Sequence, residues 1–411
     1  MSGLRRVAIT GLGAISALGH DVQQNWEAVR SGRSGIAPAC FDAGEHGPGA
    51  VTLPAALVAD GFEAALEAGC GRKISATLDR FALMALSAAF EGLNQADLIG
   101  HRALDQRTAV VLGHGQGGLA TLEKCYERFF GQKSARMHPA TVPKVMVSGA
   151  ASAVAMQFAI HGPVFATSSA CASSAHAIVQ GAGMIQTGLV DVAVVGGSEA
   201  IATPGSMAGW QAIHALAETT CRPFSKGRDG MVMGEGGAVL VLEDWDHAHA
   251  RGVEVLGEYI GAGMTSDAFH IIQPALAGAS AAMRQACAAG GLLEAEEVLI
   301  SAHGTGTPLN DENEAAAIQA VFGAHAQRHP VIATKSAHGH LIGGSAALQA
   351  VLGLMALKAQ LAPPVLNYLD ADPACDVDVV VGQVRPIKAR RLLLNAFAFG
   401  GLNVSMAFAA A

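Results

Sequence analysis

Charge is scarce in this chain: Asp, Glu, Lys and Arg make up only 15% of 411 residues, and aromatics only 5%. No basic run with interleaved aromatics occurs, and the net charge of −8 argues against the positive face of a general nucleic-acid binder. The seven cysteines (Cys40, Cys70, Cys125, Cys171, Cys221, Cys287 and Cys375) are scattered and odd in number. None forms a Cys-x-x-Cys pair or a cluster with histidine, which argues against a disulfide framework and a metal site. Long apolar runs are missing too. The most membrane-like stretch, 341–357, is interrupted by Gly343, Gly344, Ser345 and Gln349 and followed by Lys358, so it reads as a buried helix. The opening MSGLRRVAITGLG lacks the apolar core of a signal peptide. These absences predict a chain of the reducing cytoplasm with no membrane and no nucleic-acid partner.

Small and apolar residues are what the chain has instead. Glycine occurs 50 times and apolar residues make up 51%, which suits helices and strands packed closely in layers. The length allows two ordinary domains or one large duplicated one. Duplication is visible in the residues: Pro163 opens PVFATSSACASSA and Pro330 opens PVIATKSAHGHLI, with Cys171 opposite His338. Upstream of each, LGHGQG at 112–117 echoes SAHGTG at 301–306. Two echoes in the same order outweigh chance similarity in an Ala-rich sequence.

Strand patterns fall at 7–10, 108–112, 192–195, 238–243, 298–302, 331–334 and 392–396. Several are apolar throughout, as expected of strands buried on both faces. Helical patterns cover 78–93, 172–187, 278–289, 311–322 and 345–358. The polar run EDWDHAHARG follows a strand and divides the chain into halves at 1–253 and 254–411.

Cys171 lies where a strand turns into a helix. A side chain at a helix N-terminus meets free backbone N–H groups that favour a thiolate and can receive an oxyanion. A small buried cysteine in an Ala-rich turn fits the same residues equally well. Two further loops shift the balance. His303, Thr305 and Thr307 follow one strand, and Lys335, His338 and His340 follow another. A single histidine at a strand end is ordinarily structural, but two such loops and a cysteine in the duplicate position suggest one convergent site. His176, five positions after Cys171, is rotated away on the helix. Asp311, Glu312 and Glu314 stand at a helix start, where acids are favourable whatever the function.

The segments TSSACASSAHA, SAHGTGTPLND, ATKSAHGHLIGG and NAFAFGGLN resemble, in order, the active-site segments of elongating β-ketoacyl–acyl-carrier-protein synthases. RDGMVMGEGGAVLVLE and VAITGLGAISALG are similar to further family segments, so the resemblance spans essentially the whole chain. It implies an α/β fold of the thiolase type, five layers αβαβα made from two duplicated halves. It also implies decarboxylative condensation of a malonyl thioester with an acyl chain on Cys171. His303 and His340 would donate hydrogen bonds to the enolate, Lys335 would organise the site, and Thr305 and Thr307 would meet the phosphopantetheine arm. Phe399 would be a gating aromatic on a loop freed by Gly400 and Gly401, its backbone N–H forming the oxyanion hole with that of Cys171. The implied partners are acyl carrier protein and a second copy of the chain, or a related subunit. No metal or redox cofactor is implied.

Departures from the family pattern matter as much. Gln349 stands where a glutamate is usual and cannot ion-pair with Lys335; His338 stands where many relatives have threonine. The loop GHGQGGL resembles one that lines the acyl tunnel, which makes Gln116 a substrate-binding candidate. A basic pair expected for docking an acidic carrier is replaced by Ala76 and Thr77, leaving Arg72, Lys73, Lys133 and Arg136 as candidates. Three other readings compete: a degradative thiolase, which the two-histidine pattern disfavours, a catalytically silent chain-length-factor-like subunit, which Cys171 disfavours, and a cysteine hydrolase.

Overall fold

The computed structural model describes residues 3–45, 47–71 and 73–411. Ten strands form its large sheet: β1 (Val7–Ser16), β2 (Thr108–Gly113), β3 (Val164–Thr167), β4 (Val192–Glu199), β5 (Gly236–Asp244), β6 (Gly257–Ser266), β7 (Val298–Ser301), β8 (Val331–Ile332), β9 (Arg391–Ala398) and β10 (Leu402–Ala410). Their spatial order is β8-β7-β9-β10-β6-β1-β5-β4-β2-β3. Adding five to each of β3-β2-β4-β5-β1 gives β8-β7-β9-β10-β6, so the two sets of strands share one topology. Directions match as well: β2 is parallel to β3 and β4, as β7 is to β8 and β9. The remaining neighbours within each set run antiparallel. The sets meet at a short antiparallel seam, Val7↔Tyr259, Ala8↔Glu258 and Ile9↔Gly257.

The side-chain period of two assigns each strand to two cores. Ala109, Val111, Ala193, Val195, Leu240 and Leu242 face a central core, while Val110, Leu112, Val192, Val194, Val239 and Val241 face an outer one. In the second set, Leu299, Leu392 and Leu394 point to the same central core, and Val298, Ile300 and Leu393 to a third. Helices Ser173–Gln186 and Ser345–Ala359 fill the centre. Arg80–Gln95 and Gly149–Phe158 cover one outside, Leu276–Gly290 and Pro308–Phe322 the other. This is the five-layer αβαβα arrangement. Sequence 342–359 is long and apolar enough to cross a membrane, yet most of it is buried inside the protein.

Local chemistry explains where elements differ from their sequence patterns. β1 continues past Thr10 to Ser16 because Gly11 and Gly13 lie against the helix Arg80–Gln95. A Cβ on either would meet the Gly92 or Ala88 carbonyl oxygen within 2.0 Å. β8 stops at Ile332, since Thr334 already caps the one-turn helix Lys335–His338. The helix expected from 311 begins at Pro308, whose missing N–H costs nothing in a first turn. A ribbon of Ala37–Phe41 and Val51–Ala56, with Met233–Gly234 alongside, has no counterpart in the sequence patterns.

Candidate active site

Cys171 sits in a 3₁₀ turn, Ala170–Ala172, between β3 and the central helix Ser173–Gln186. Ala170 adopts φ +50°, a left-handed conformation that turns the chain sharply. The turn is tied by Ser173, whose hydroxyl oxygen accepts from the Ser169 N–H (2.9 Å) and donates to the Ala170 carbonyl (2.7 Å). The backbone N–H groups of Cys171 and Phe399 favour the ionised sulfur. The helix terminus does not give a resting thiolate as the sequence suggested. Burial pushes the thiol up to about 11, and the Lys335 charge is the largest influence pulling it back.

His303 follows β7, and His340 follows the turn Lys335–His338. Both are buried, with ring centroids 5.5 Å apart at 82°. One ligand atom from each of Cys171, His303 and His340 falls within 4.8 Å of the others. The partners at Nδ1 decide what these rings do. Nδ1 of His340 faces two donors, the Ile342 N–H (3.1 Å) and the Ser345 hydroxyl (2.8 Å). Nδ1 of His303 faces the Lys335 ammonium at 3.4 Å. Each ring therefore carries its proton on Nε2, and that of His340 has no partner among the described residues. Burial, then the Lys335 charge, hold both pKa values well below 6.5, so the rings are neutral donors. A metal would need lone pairs where these rings present N–H groups, so the trio suits an anion better than a cation.

Lys335 is 1% exposed and its three N–H bonds are accounted for. They reach the His303 carbonyl (2.6 Å), Gln349 Oε1 (2.7 Å) and His303 Nδ1 (3.4 Å). The His303 loop is held by Glu314, whose carboxylate accepts the N–H groups of His303 and Gly304, both at 2.8 Å, and the Asn395 amide. Above the sulfur stands Phe399, stacked on Trp210 at 6.0 Å and followed by Gly400 (φ +81°) and Gly401 (φ +69°). A Cβ at Gly401 would strike Asp267 at 2.4 Å, so this loop requires glycine for space as well as conformation.

A cavity of about 300 Å³ joins these groups, lined by Cys171, His303, His340, Thr305, Thr307 and Phe399 among others. The arrangement is a cysteine sulfur beside two neutral N–H donors, and the chain around it is recognisable. The N-terminal and C-terminal domain models of beta-ketoacyl synthases match residues 4–248 and 256–369. The chain belongs to the β-ketoacyl synthase family. Nodulation protein E of Rhizobium meliloti is 41% identical over 405 residues, covering 98% of this chain and 99% of that protein. The 3-oxoacyl-[acyl-carrier-protein] synthase 2 of Synechocystis is 36% identical over 417 residues, 98% of each. A solved ishigamide ketosynthase/chain length factor superposes with a TM-score of 0.90 at 29% identity, over 99% of this chain and 100% of that one. A β-ketoacyl synthase joins an acyl primer to the carbon unit left by decarboxylation of a malonyl thioester, and this is the chain's reaction.

The synthase's other sequence candidates are less uniformly placed. The hydroxyls of Thr305 and Thr307 lie 2.8 Å apart on the cavity wall. Gln116 is not in the Cys171 cavity. It lines a neighbouring one with Leu119, Trp210, Ile213 and Phe399, and its side-chain amide has no hydrogen-bond partner among the described residues. Phe399 and Ile213 border both cavities. Lys73, Lys133 and Arg136 are exposed and line neither; Arg72 lies outside the described residues. His176 bonds Ser169 and the Ala172 carbonyl, away from the cavity. Ser345, Glu314, Asn395 and Trp210 went unread as site residues in the sequence. For Glu314 the available signal was its spacing after His303, masked by the general preference for acids at helix starts.

Proposed function

We propose that Cys171 carries the primer and that His303 and His340 drive decarboxylation. The sulfur attacks the primer thioester, forms a new thioester and releases the carrier thiol. The malonyl thioester then binds with its carbonyl oxygen toward the two Nε2–H groups. Its bond to the carboxylate breaks, carbon dioxide leaves, and the electron pair forms an enolate whose oxygen both imidazoles stabilise. The enolate carbon attacks the Cys171 acyl carbonyl; the N–H groups of Cys171 and Phe399 receive the oxyanion, and collapse expels the thiolate. No proton need be removed from carbon, so no strong base is required. The observation carrying this reading is the fixed tautomer of the two neutral imidazoles beside the sulfur.

In the same proposal Lys335 orients His303, Thr305 and Thr307 bind the phosphopantetheine arm, and Phe399 gates the cavity with Gly400 and Gly401 as its hinge. The substrates arrive on acyl carrier protein, the carrier that the Synechocystis relative's name specifies. Arg72, Lys73, Lys133 and Arg136 are the docking candidates. The edge strand β3 and the exposed Tyr126, Phe129, Phe130 and Val142 support assembly with a second copy or a related subunit. Residues 1–253 and 254–411 form the two halves, no cofactor takes part, and the chain works in the cytoplasm.

The test supplies acyl-loaded and malonyl-loaded carrier protein and identifies products by mass spectrometry. A 3-oxoacyl product two carbons longer than the primer is expected. Equal turnover with an acetyl donor would point to thiolase chemistry, and release of free acid alone to a hydrolase.

A further inference from the structure

Gln349 is fully buried in the central helix and faces two neighbours with opposite demands. Its Oε1 accepts from Lys335 Nζ at 2.7 Å, while its Nε2 donates to the Ala302 carbonyl at 2.6 Å and lies 3.5 Å from Ser301 Oγ. The amide cannot be turned over, since that would set NH₂ against an ammonium and oxygen against a carbonyl. A carboxylate would satisfy Lys335 and oppose Ala302. The residue is thus matched to its place as an amide and not as an acid.

The consequence falls on Lys335. All three of its bonds end on neutral acceptors, and among the described residues no carboxylate lies within ion-pair distance. A buried cation held only by neutral groups projects its field further than one neutralised in contact. Cys171, Glu314, Cys221 and Asp311 face this field on the acidic side, and His303, His338 and His340 on the basic side. Of these Cys171 is the nucleophile, and Glu314 is already occupied by three N–H donors.

We propose that Gln349 is a positioning residue that keeps the Lys335 charge unneutralised, so that the Cys171 thiolate, as it forms, becomes its counter-charge. This rests on the role given to Cys171 above but concerns how the thiolate is reached. Gln349→Glu would place a carboxylate on Lys335, pair the charge locally and withdraw it from the sulfur.

The measurement is the alkylation rate of Cys171 by iodoacetamide across pH, read by mass spectrometry of the peptide that carries it. At pH 7, Gln349→Glu is expected to react about tenfold more slowly than the natural protein, its profile displaced upward by about one pH unit. A folded Gln349→Glu protein with the natural profile overturns the proposal. Lys335→Met guards against a variant that fails to fold: it must slow Cys171 at least as much, and an unchanged rate there also overturns it. Alkylation uses no substrate, so its result is independent of product formation. A shifted profile in a protein that makes no 3-oxoacyl product would sink the condensing roles and leave this one standing.

Discussion

Glu199 and Glu314 hold the two glycine-rich loops of the site in the same manner, from unrelated places in the fold. Glu199, the last residue of β4, accepts the N–H groups of Gly115, Gln116, Gly117 and Gly343. Glu314, inside the helix Pro308–Phe322, accepts those of His303 and Gly304. Each is completely buried, and burial raises each to about 7 against the pull of its donors. One carboxylate cradling several backbone donors fixes a loop without secondary structure, which is how His303 keeps its place after the strand ends.

Cys171→Ala should eliminate covalent loading. Intact-protein mass spectrometry after incubation with an acyl donor should show one adduct in the natural protein, on the Cys171 peptide, and none in the variant. An adduct at another cysteine would reassign the nucleophile.

Decarboxylation should depend on the imidazole donors more than loading does. His340→Ala should slow carbon dioxide release by about 10²-fold, the scale of a lost oxyanion donor. Ser345→Ala removes one of two groups that fix the His340 tautomer and should cost about fivefold, near 1 kcal/mol. Carbon dioxide release and self-acylation measured on the same samples separate the two steps; a matched loss in both would contradict the assignment.

The buried His338 sets a pH dependence. Its Nε2 bonds Thr334 Oγ1 at 2.9 Å, its Nδ1 has no partner among the described residues, and burial lowers it to about 3. An unfolded chain takes up this proton near pH 6.5, whereas the folded one cannot, so stability falls as pH drops from about 6.5 toward 3. His338→Thr should flatten that decline by up to one proton, roughly 1.4 kcal/mol per pH unit below about pH 6. Denaturant titrations at pH 7 and pH 5 read the difference; parallel losses in both proteins would show that His338 is protonated in the fold.

Gln116→Ala should move primer preference toward longer saturated chains. Gln116 is exposed in the single chain, so the shift requires a bound primer or a second copy to cover it. An amide covered without a partner costs about 1–3 kcal/mol, enough for roughly a tenfold change in relative rates. Rates over a primer series for both proteins check this, and superimposable profiles would remove Gln116 from specificity.

Much of this site was legible because its residues sit at strand ends, where apolar runs stop abruptly. Cys171, His303, Lys335 and His340 were read in that way, and the structure brings all four together. The supporting residues were not legible for a physical reason: their value lies in partners distant in sequence. Glu199 meets Gly115 from 84 positions away, and Asn395 meets Glu314 from 81. Gln116 was expected on the acyl tunnel; the structure places it on a neighbouring cavity that shares Phe399 and Ile213 with the Cys171 cavity. The central helix gave no amphipathic signal, since Ser345–Ala359 is buried on nearly every side.

The central core has a consequence for the chain's cooperativity. Its residues run from Val7 to Phe408 and include both central helices, so each half supplies one wall of a chamber that the other half closes. A fragment ending near residue 253 would keep its outer core but leave the inner face of its sheet and the helix Ser173–Gln186 bare to water. Neither repeat retains a complete interior of its own. Two copies of one topology have become a single folding unit, which should melt in one transition and should not be recoverable as two soluble pieces.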